Sequence, residues 1–439
     1  MNNKNTLLAA LVVAAGFSLA ACSPPSPSPS PSPSQTSADA QTPAFPQFDV
    51  DATWPKPYPN KWKIGGVTGL AVDSDDNVWV YNRPNDLTSL ELQAERDPPT
   101  ADCCTRPPSM ILIAGHDGPD YEDGEVIAYF DAPQGHGMAV DAQGFLYLGQ
   151  NTVRKYDRTG RMLMEVPHIP ENADGTPFEM ETIPERVPGL GGSGPVAGFI
   201  ARLDADIREG AGNASEQLTT QRELRQQAFI AKYPPTTPMI VGGIEEIRTD
   251  DAANEIYIAD NSFGGRIMVF ALDTFEFKRG WGAYGHALSE ISTDPADHAY
   301  TPGGPPAKEF VGHLTFNFSN DGLVYAADRA GNRIHVTDKQ GNFKQEIMMA
   351  ENTGTGGSTG GVMFSNDPEQ KFLYISDLTN NKVWFLDRLS GEVMGTLGQM
   401  GENAGSFFGL HMEATDSRGN LYTGEVFYGE RVQRFVPRQ

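Results

Sequence analysis

Six segments of this chain repeat one pattern, and that repetition restricts the possible folds more than any other feature. Each segment has a Gly-rich start, an alternating apolar stretch, a turn rich in Asp, Asn and Gly, a second alternating stretch around an aromatic residue, and a third stretch after a polar turn. They run over 65–83, 135–157, 242–270, 312–338, 361–387 and 409–435. Alternation with a period of two and the Asp-Gly or Gly-Asn turns are hairpin signals, and helical periodicity is absent from these segments. A unit this small cannot bury its own faces. Six of them in series predict an all-β fold, a six-bladed β-propeller in which each blade packs on the next. The sixth unit shows only three strands before the C-terminus. Residues 48–54 are expected to supply its missing strand and close the ring, which hides the sheet edges.

The predicted propeller occupies 46–439. Residues 168–237 break the pattern between the second and third units. Ile200, Leu203 and Ile207 form one stripe there, and the segment is read as a helical insertion. Residues 1–21 combine Lys4, an apolar run and small residues, as a signal peptide does. Cys22 follows Leu19-Ala20-Ala21 as in a bacterial lipobox, so lipidation of Cys22 is expected, and Ser23 after it favours the outer membrane of the cell envelope. Residues 22–45 alternate Pro and Ser, which neither pack nor form helix. They read as a tether that reaches about 70 Å when fully extended. The only other cysteines, Cys103 and Cys104, are adjacent, and an oxidising compartment permits a disulfide between them.

Charge narrows the partners. Lys and Arg number 33 against 57 Asp and Glu, a formal charge of −24. That balance argues against a nucleic-acid partner, which would need a basic face, and membrane contact is expected only through the lipid. The expected partner is a small-molecule or peptide substrate, with a protein partner left open.

Aligning the units places chemistry at one repeat position. Thr68, His136 and His411 each stand eleven residues before the aromatic of the second strand, at Trp79, Tyr147 and Tyr422. Glu245 and His313 take the corresponding places in units three and four. Histidine therefore recurs on alternate blades, where the first strands line the central channel. Three imidazoles at one depth with an open fourth position suit a catalytic zinc ion. The other five histidines, His335 among them, read as surface or loop residues. Arg83 and Arg329 close the second strands of units one and four, and Asp260 and Asp377 are read at the same strand end in units three and five. An arginine there can grip a carboxylate through two parallel hydrogen bonds. Glu245, between His136 and His313 on the ring, is the candidate general base or fourth ligand, with Tyr284 as an alternative acid–base group.

These units look like NHL-type repeats. Over most of 62–436 the arrangement resembles the peptidyl-α-hydroxyglycine α-amidating lyase family. The resemblance implies that His136, His313 and His411 hold zinc and that Arg83 and Arg329 are active-site arginines. It further implies a carbinolamide substrate cleaved to an amide and glyoxylate. The family's catalytic Tyr has no counterpart at Ser262 or Phe263, and its Met two residues before the last zinc His is Gly409 here. The Asp that follows this His and helps hold a structural calcium is Met412; Glu413 lies one residue further along and is the candidate for calcium. The alternative reading of the chain is a non-catalytic propeller that binds proteins or cell-wall components.

Overall fold

A computed structural model describes residues 45–170, 229–260, 265–354 and 356–438. Residues 1–44, with the expected signal peptide, Cys22 and nearly all of the expected tether, lie outside the described residues, as do 171–228 with the stripe of Ile200, Leu203 and Ile207. Twenty-four strands, numbered β1–β24 in chain order, form six four-stranded antiparallel sheets. The first strands of the blades are β2 (Gly66–Val72), β6 (Met138–Val140), β10 (Ile244–Asp250), β14 (Leu314–Phe318), β18 (Val362–Phe364) and β22 (Leu410–Thr415). Each contacts the next, and β22 returns to β2, so the ring is closed. Closure is made by β1 (Phe48–Asp51), which pairs antiparallel with β24 (Val432–Pro437) and completes the sixth blade.

The packing explains the sequence pattern. Six apolar cores lie between neighbouring blades, one at each blade–blade interface. In β3 (Val78–Arg83), Val78 and Val80 enter the core shared with blade six, while Trp79 and Tyr81 enter the core shared with blade two. Both faces of a second strand are thus buried, and successive side chains serve different cores. The turns between first and second strands are shaped by a carboxylate. Asp141 accepts the N–H groups of Gln143 and Phe145, and Asp416 those of Arg418 and Asn420.

At the edges of the expected insertion the chain leaves and re-enters the propeller side by side. Ile169 N–H donates to Ile240 O at 3.0 Å, and Ile240 N–H to Pro167 O at 2.9 Å. Residues 229–232 are helical, and Ile169, Phe229 and Val241 form a small core. Arg266, fully buried, donates to the carbonyls of Pro235, Thr237 and Met239 and pairs with Asp260 at 2.8 Å.

Candidate metal centre

The three histidines meet. His136 Nε2 lies 3.2 Å from His411 Nε2 and 3.0 Å from His313 Nε2, and the third side of the triangle is 3.2 Å. Among the described residues this is the one group of three or more His, Cys, Asp or Glu whose ligand atoms converge. Local backbone irregularity aims the side chains. The pairing of β22 with β23 (Leu421–Glu425) slips between Leu410 and Met412, which makes His411 a bulged residue. Thr68 in β2 and Glu245 in β10 are bulged in the same way. A bulge leaves one residue out of the ladder and turns its side chain, here at the channel mouth. His313 adopts a left-handed backbone at φ 52° and precedes β14, while His136 is followed by Gly137 at φ 79°. A Cβ on Gly137 would stand 3.1 Å from the Glu245 carbonyl, so only glycine lets blades two and three approach this closely.

The hydrogen bonds fix where the protons are. His136 Nδ1 lies 2.7 Å from Glu245 O, and His411 Nδ1 lies 3.1 Å from Val67 O. A carbonyl only accepts, so both Nδ1 atoms carry the proton and both Nε2 atoms present bare lone pairs. Two lone pairs then face each other across 3.2 Å with no proton between them. A tautomer change at His313, whose Nδ1 is buried without a hydrogen-bond partner among the described residues, cannot relieve that pair. A cation at the centre relieves all three. Three nitrogens bound to one first-row metal ion at about 2.1 Å stand about 3.2–3.4 Å apart, which the triangle matches closely. Electrostatics agree. Burial first, then the Arg329 and Arg83 charges, push His411 down to about 3. Burial, the neighbouring imidazoles and the same two arginines hold His136 and His313 well below the ordinary histidine range. All three are neutral at physiological pH, the state in which imidazole binds a metal.

Each histidine is held by hydrogen bonds from its own blade or a neighbouring one. Asp328, paired with buried Arg333 at 3.0 Å, accepts the Val311 and Gly312 N–H groups just before His313. Asn381 accepts the Gly409 N–H just before β22 at 2.7 Å. The Glu245 carboxylate accepts the Leu314 N–H while its own carbonyl holds His136. Glu245 therefore ties His136 to the residue after His313, and its hydrogen bonds are those of a positioning group; it is not among the converging ligands. Arg83 Nε donates to Gly135 O at 3.2 Å, one residue before His136, and no other hydrogen bond to its guanidinium is formed by the described residues. Burial lowers its pKa, and the nearby Asp86 opposes this only in part. Arg329 follows β15 (Leu323–Asp328), three blades away from Arg83, and donates its N–H to His313 O. The two arginines thus flank the histidines from opposite sides of the ring.

The structure refines several sequence readings. The buried strand-end position is held by Asn82, Asp260, Asp328, Asp377 and Glu425. Arg83 and Arg329 come one residue later, so Asp260 and Asp377 are not their equivalents. Tyr284 lies beyond β13 (Phe277–Trp281), the outermost strand of blade three, about 14 Å of sheet from the channel. Its hydroxyl donates to Glu346 at 2.7 Å and accepts from Arg333 at 2.9 Å. His335 is not a surface residue: it is fully buried in β16 (Arg333–Asp338) and bonded to Glu346. Ser262 and Phe263 lie outside the described residues. Glu413 is buried in the channel wall with neither carboxylate oxygen hydrogen-bonded among the described residues, and burial raises its pKa well above the carboxylate range. Among the described residues it joins no group of three converging ligands, so the calcium expectation finds no support there. Cys103 and Cys104 form a disulfide.

No protein-family model matches the chain, and no curated protein matches it. Solved structures with a similar course of chain include a catalytically inactive virginiamycin B lyase from Staphylococcus aureus with quinupristin. It is 12% identical, with a TM-score of 0.41 and 89% of each chain covered. A streptogramin B lyase aligns over 89% of this chain and 98% of its own at 10% identity and a TM-score of 0.43. A structural genomics protein of unknown function from Bacteroides thetaiotaomicron VPI-5482 aligns over 90% and 73%, at 14% identity and a TM-score of 0.46. The fold assignment rests on the sheet topology above and needs none of these likenesses.

Proposed function

We propose that the protein is a zinc-dependent lyase acting on a small carboxylate-bearing carbinolamide, N–CH(OH)–COO⁻. The observation that carries this reading is the set of converging Nε2 lone pairs beside Arg83, whose terminal nitrogens have no acceptor among the described residues. His136, His313 and His411 would hold the ion, and bound zinc supplies a Lewis acid that acidifies a coordinated hydroxyl. The remaining work falls to the protein. Arg83 takes the substrate carboxylate through its two free terminal nitrogens. Arg329, on the opposite blade, offsets the negative charge that develops as the hydroxyl proton leaves. Glu245 and Val67 keep the imidazole rings turned inward through their carbonyls. The C–N bond breaks with its electron pair moving to nitrogen, the hydroxyl proton ends on that nitrogen, and an amide and glyoxylate depart.

In this reading residues 1–21 are removed, Cys22 carries lipid, and 22–45 hold the propeller off the envelope membrane. The test is glyoxylate release from an N-acyl-α-hydroxyglycine by the zinc-reconstituted protein. Turnover that chelation abolishes and zinc restores is the expected result. A zinc-loaded protein that releases no glyoxylate would overturn the lyase reading.

A further inference from the structure

Asp86 Oδ2 is buried and accepts no hydrogen bond among the described residues. Asp86 ends a short turn, Pro84–Asp86, that directly follows Arg83. Pro84 and Leu87 are buried and anchor this turn at both ends. Asn85 N–H donates to Gln134 Oε1 at 2.7 Å and ties the turn to blade two. The carboxylate is held by its surroundings rather than by a bond to Oδ2. Gly66 makes room for it: a Cβ there would stand 2.9 Å from Asp86 Oδ2 and 3.5 Å from Val426 Cα.

Both neighbours lead to the metal centre. Gly66 precedes Val67, whose carbonyl holds His411 Nδ1, and consecutive Cα atoms are about 3.8 Å apart. Val426 N–H donates at 2.8 Å to the carbonyl of Gly409, two residues before His411. Asp86 therefore stands on the His411 side of blade one, while Arg83, bonded to Gly135 O, stands on the His136 side. These two groups are complementary. Arg83 has terminal donors without an acceptor, Asp86 has an acceptor without a donor, and no hydrogen bond joins the two. Burial raises the Asp86 pKa, and the Arg83 charge opposes this. Polar groups left without partners are costly. A ligand with a carboxylate and an O–H on one carbon satisfies both, and the carbinolamide carbon bears that pair.

We propose that Asp86 is the proton carrier: its carboxylate takes the substrate hydroxyl proton and delivers it to the departing nitrogen. The O–H electron pair becomes the second C=O bond of glyoxylate, and the C–N pair moves to nitrogen. The proton passes from oxygen to Asp86 to that nitrogen, and Asp86 ends as a carboxylate again. The proposal rests on the lyase reading for the reaction, but one arm of its test needs no turnover. Asp86→Asn keeps the side chain's shape and removes the base. With zinc content at the wild-type value, kcat on N-acetyl-α-hydroxyglycine is expected to fall about 10²- to 10⁴-fold. A base works deprotonated, so wild-type kcat/KM should rise with pH through the titration of Asp86, and that rise should vanish in Asp86→Asn. The second arm is calorimetry on the zinc-loaded protein. Glycolate carries the carboxylate and the hydroxyl; acetate carries the carboxylate alone. Glycolate is expected to bind more tightly, and Asp86→Ala to shrink that advantage about tenfold or more, as loss of a hydrogen bond to a charged group does. Full kcat in Asp86→Asn, or an unchanged glycolate advantage in Asp86→Ala, would overturn the role of Asp86 while the lyase reading stands. A wild-type protein that releases no glyoxylate, with a glycolate advantage that depends on Asp86, removes the lyase reading and leaves Asp86 as the acceptor of the ligand's hydroxyl.

Discussion

Arg83→Ala is expected to lower kcat/KM on a carboxylate-bearing carbinolamide by about 10²- to 10³-fold, with bound zinc unchanged. Arg83 is placed by one bond, Nε to Gly135 O, and its two terminal nitrogens have no acceptor among the described residues. Burial lowers its pKa, and a guanidinium stays charged under such a shift while an ammonium is more readily neutralised. Arg83→Lys keeps a point charge but loses the planar fork, so it is expected to recover only part of the loss. Because Gly135 precedes His136, zinc content is the control that separates lost substrate binding from a displaced ligand. Full activity in Arg83→Ala would remove the carboxylate-binding role.

The largest effect on stability is expected at Arg266. Asp260 and Arg266 side chains are both fully buried and paired at 2.8 Å. Asp260 also accepts the Val241 and Gly242 N–H groups, and Arg266 holds three carbonyls of the chain that returns to blade three. Arg266→Met keeps an apolar stem but leaves a buried carboxylate without a counter-charge and three carbonyls without their donor. Breaking such a pair from one side costs about 3–5 kcal/mol. Urea unfolding should register that loss, and adding Asp260→Asn in the same chain should recover part of it. A loss below about 1 kcal/mol would mean that water or rearranged neighbours replace the guanidinium at little cost.

The histidine ring was legible because repetition turns sequence position into spatial position. Residues eleven or twelve before an aromatic in these units had to lie at one depth of the channel. The second strands were legible for a related reason, since each feeds two cores and recurs around an aromatic residue in every unit. The fourth strands were not. β5 (Val126–Phe130), β9 (Met162–Glu165) and β21 (Val393–Leu397) form outer edges with mixed exposure, so their alternation is blurred. Backbone carbonyls leave no mark in a sequence. Nothing in Val67 or Glu245 announces that its C=O fixes a histidine tautomer, and the inward turn of His411 depends on a bulge one residue long. The one-residue offset of Arg83 and Arg329 from Asp260 and Asp377 follows from strand register, which spacing alone did not resolve. Tyr284 and His335 were misplaced because loops from blade three fold onto Arg333 and Glu346 of blade four.

The central claim is that three imidazole nitrogens 3.0–3.2 Å apart form a metal site. Elemental analysis of the purified protein, beside a variant with His136→Ala, His313→Ala and His411→Ala combined, tests it most directly. About one zinc per chain in the wild type and none in the folded variant is the predicted result. A wild-type protein that carries no metal as prepared and takes up none on reconstitution would contradict it.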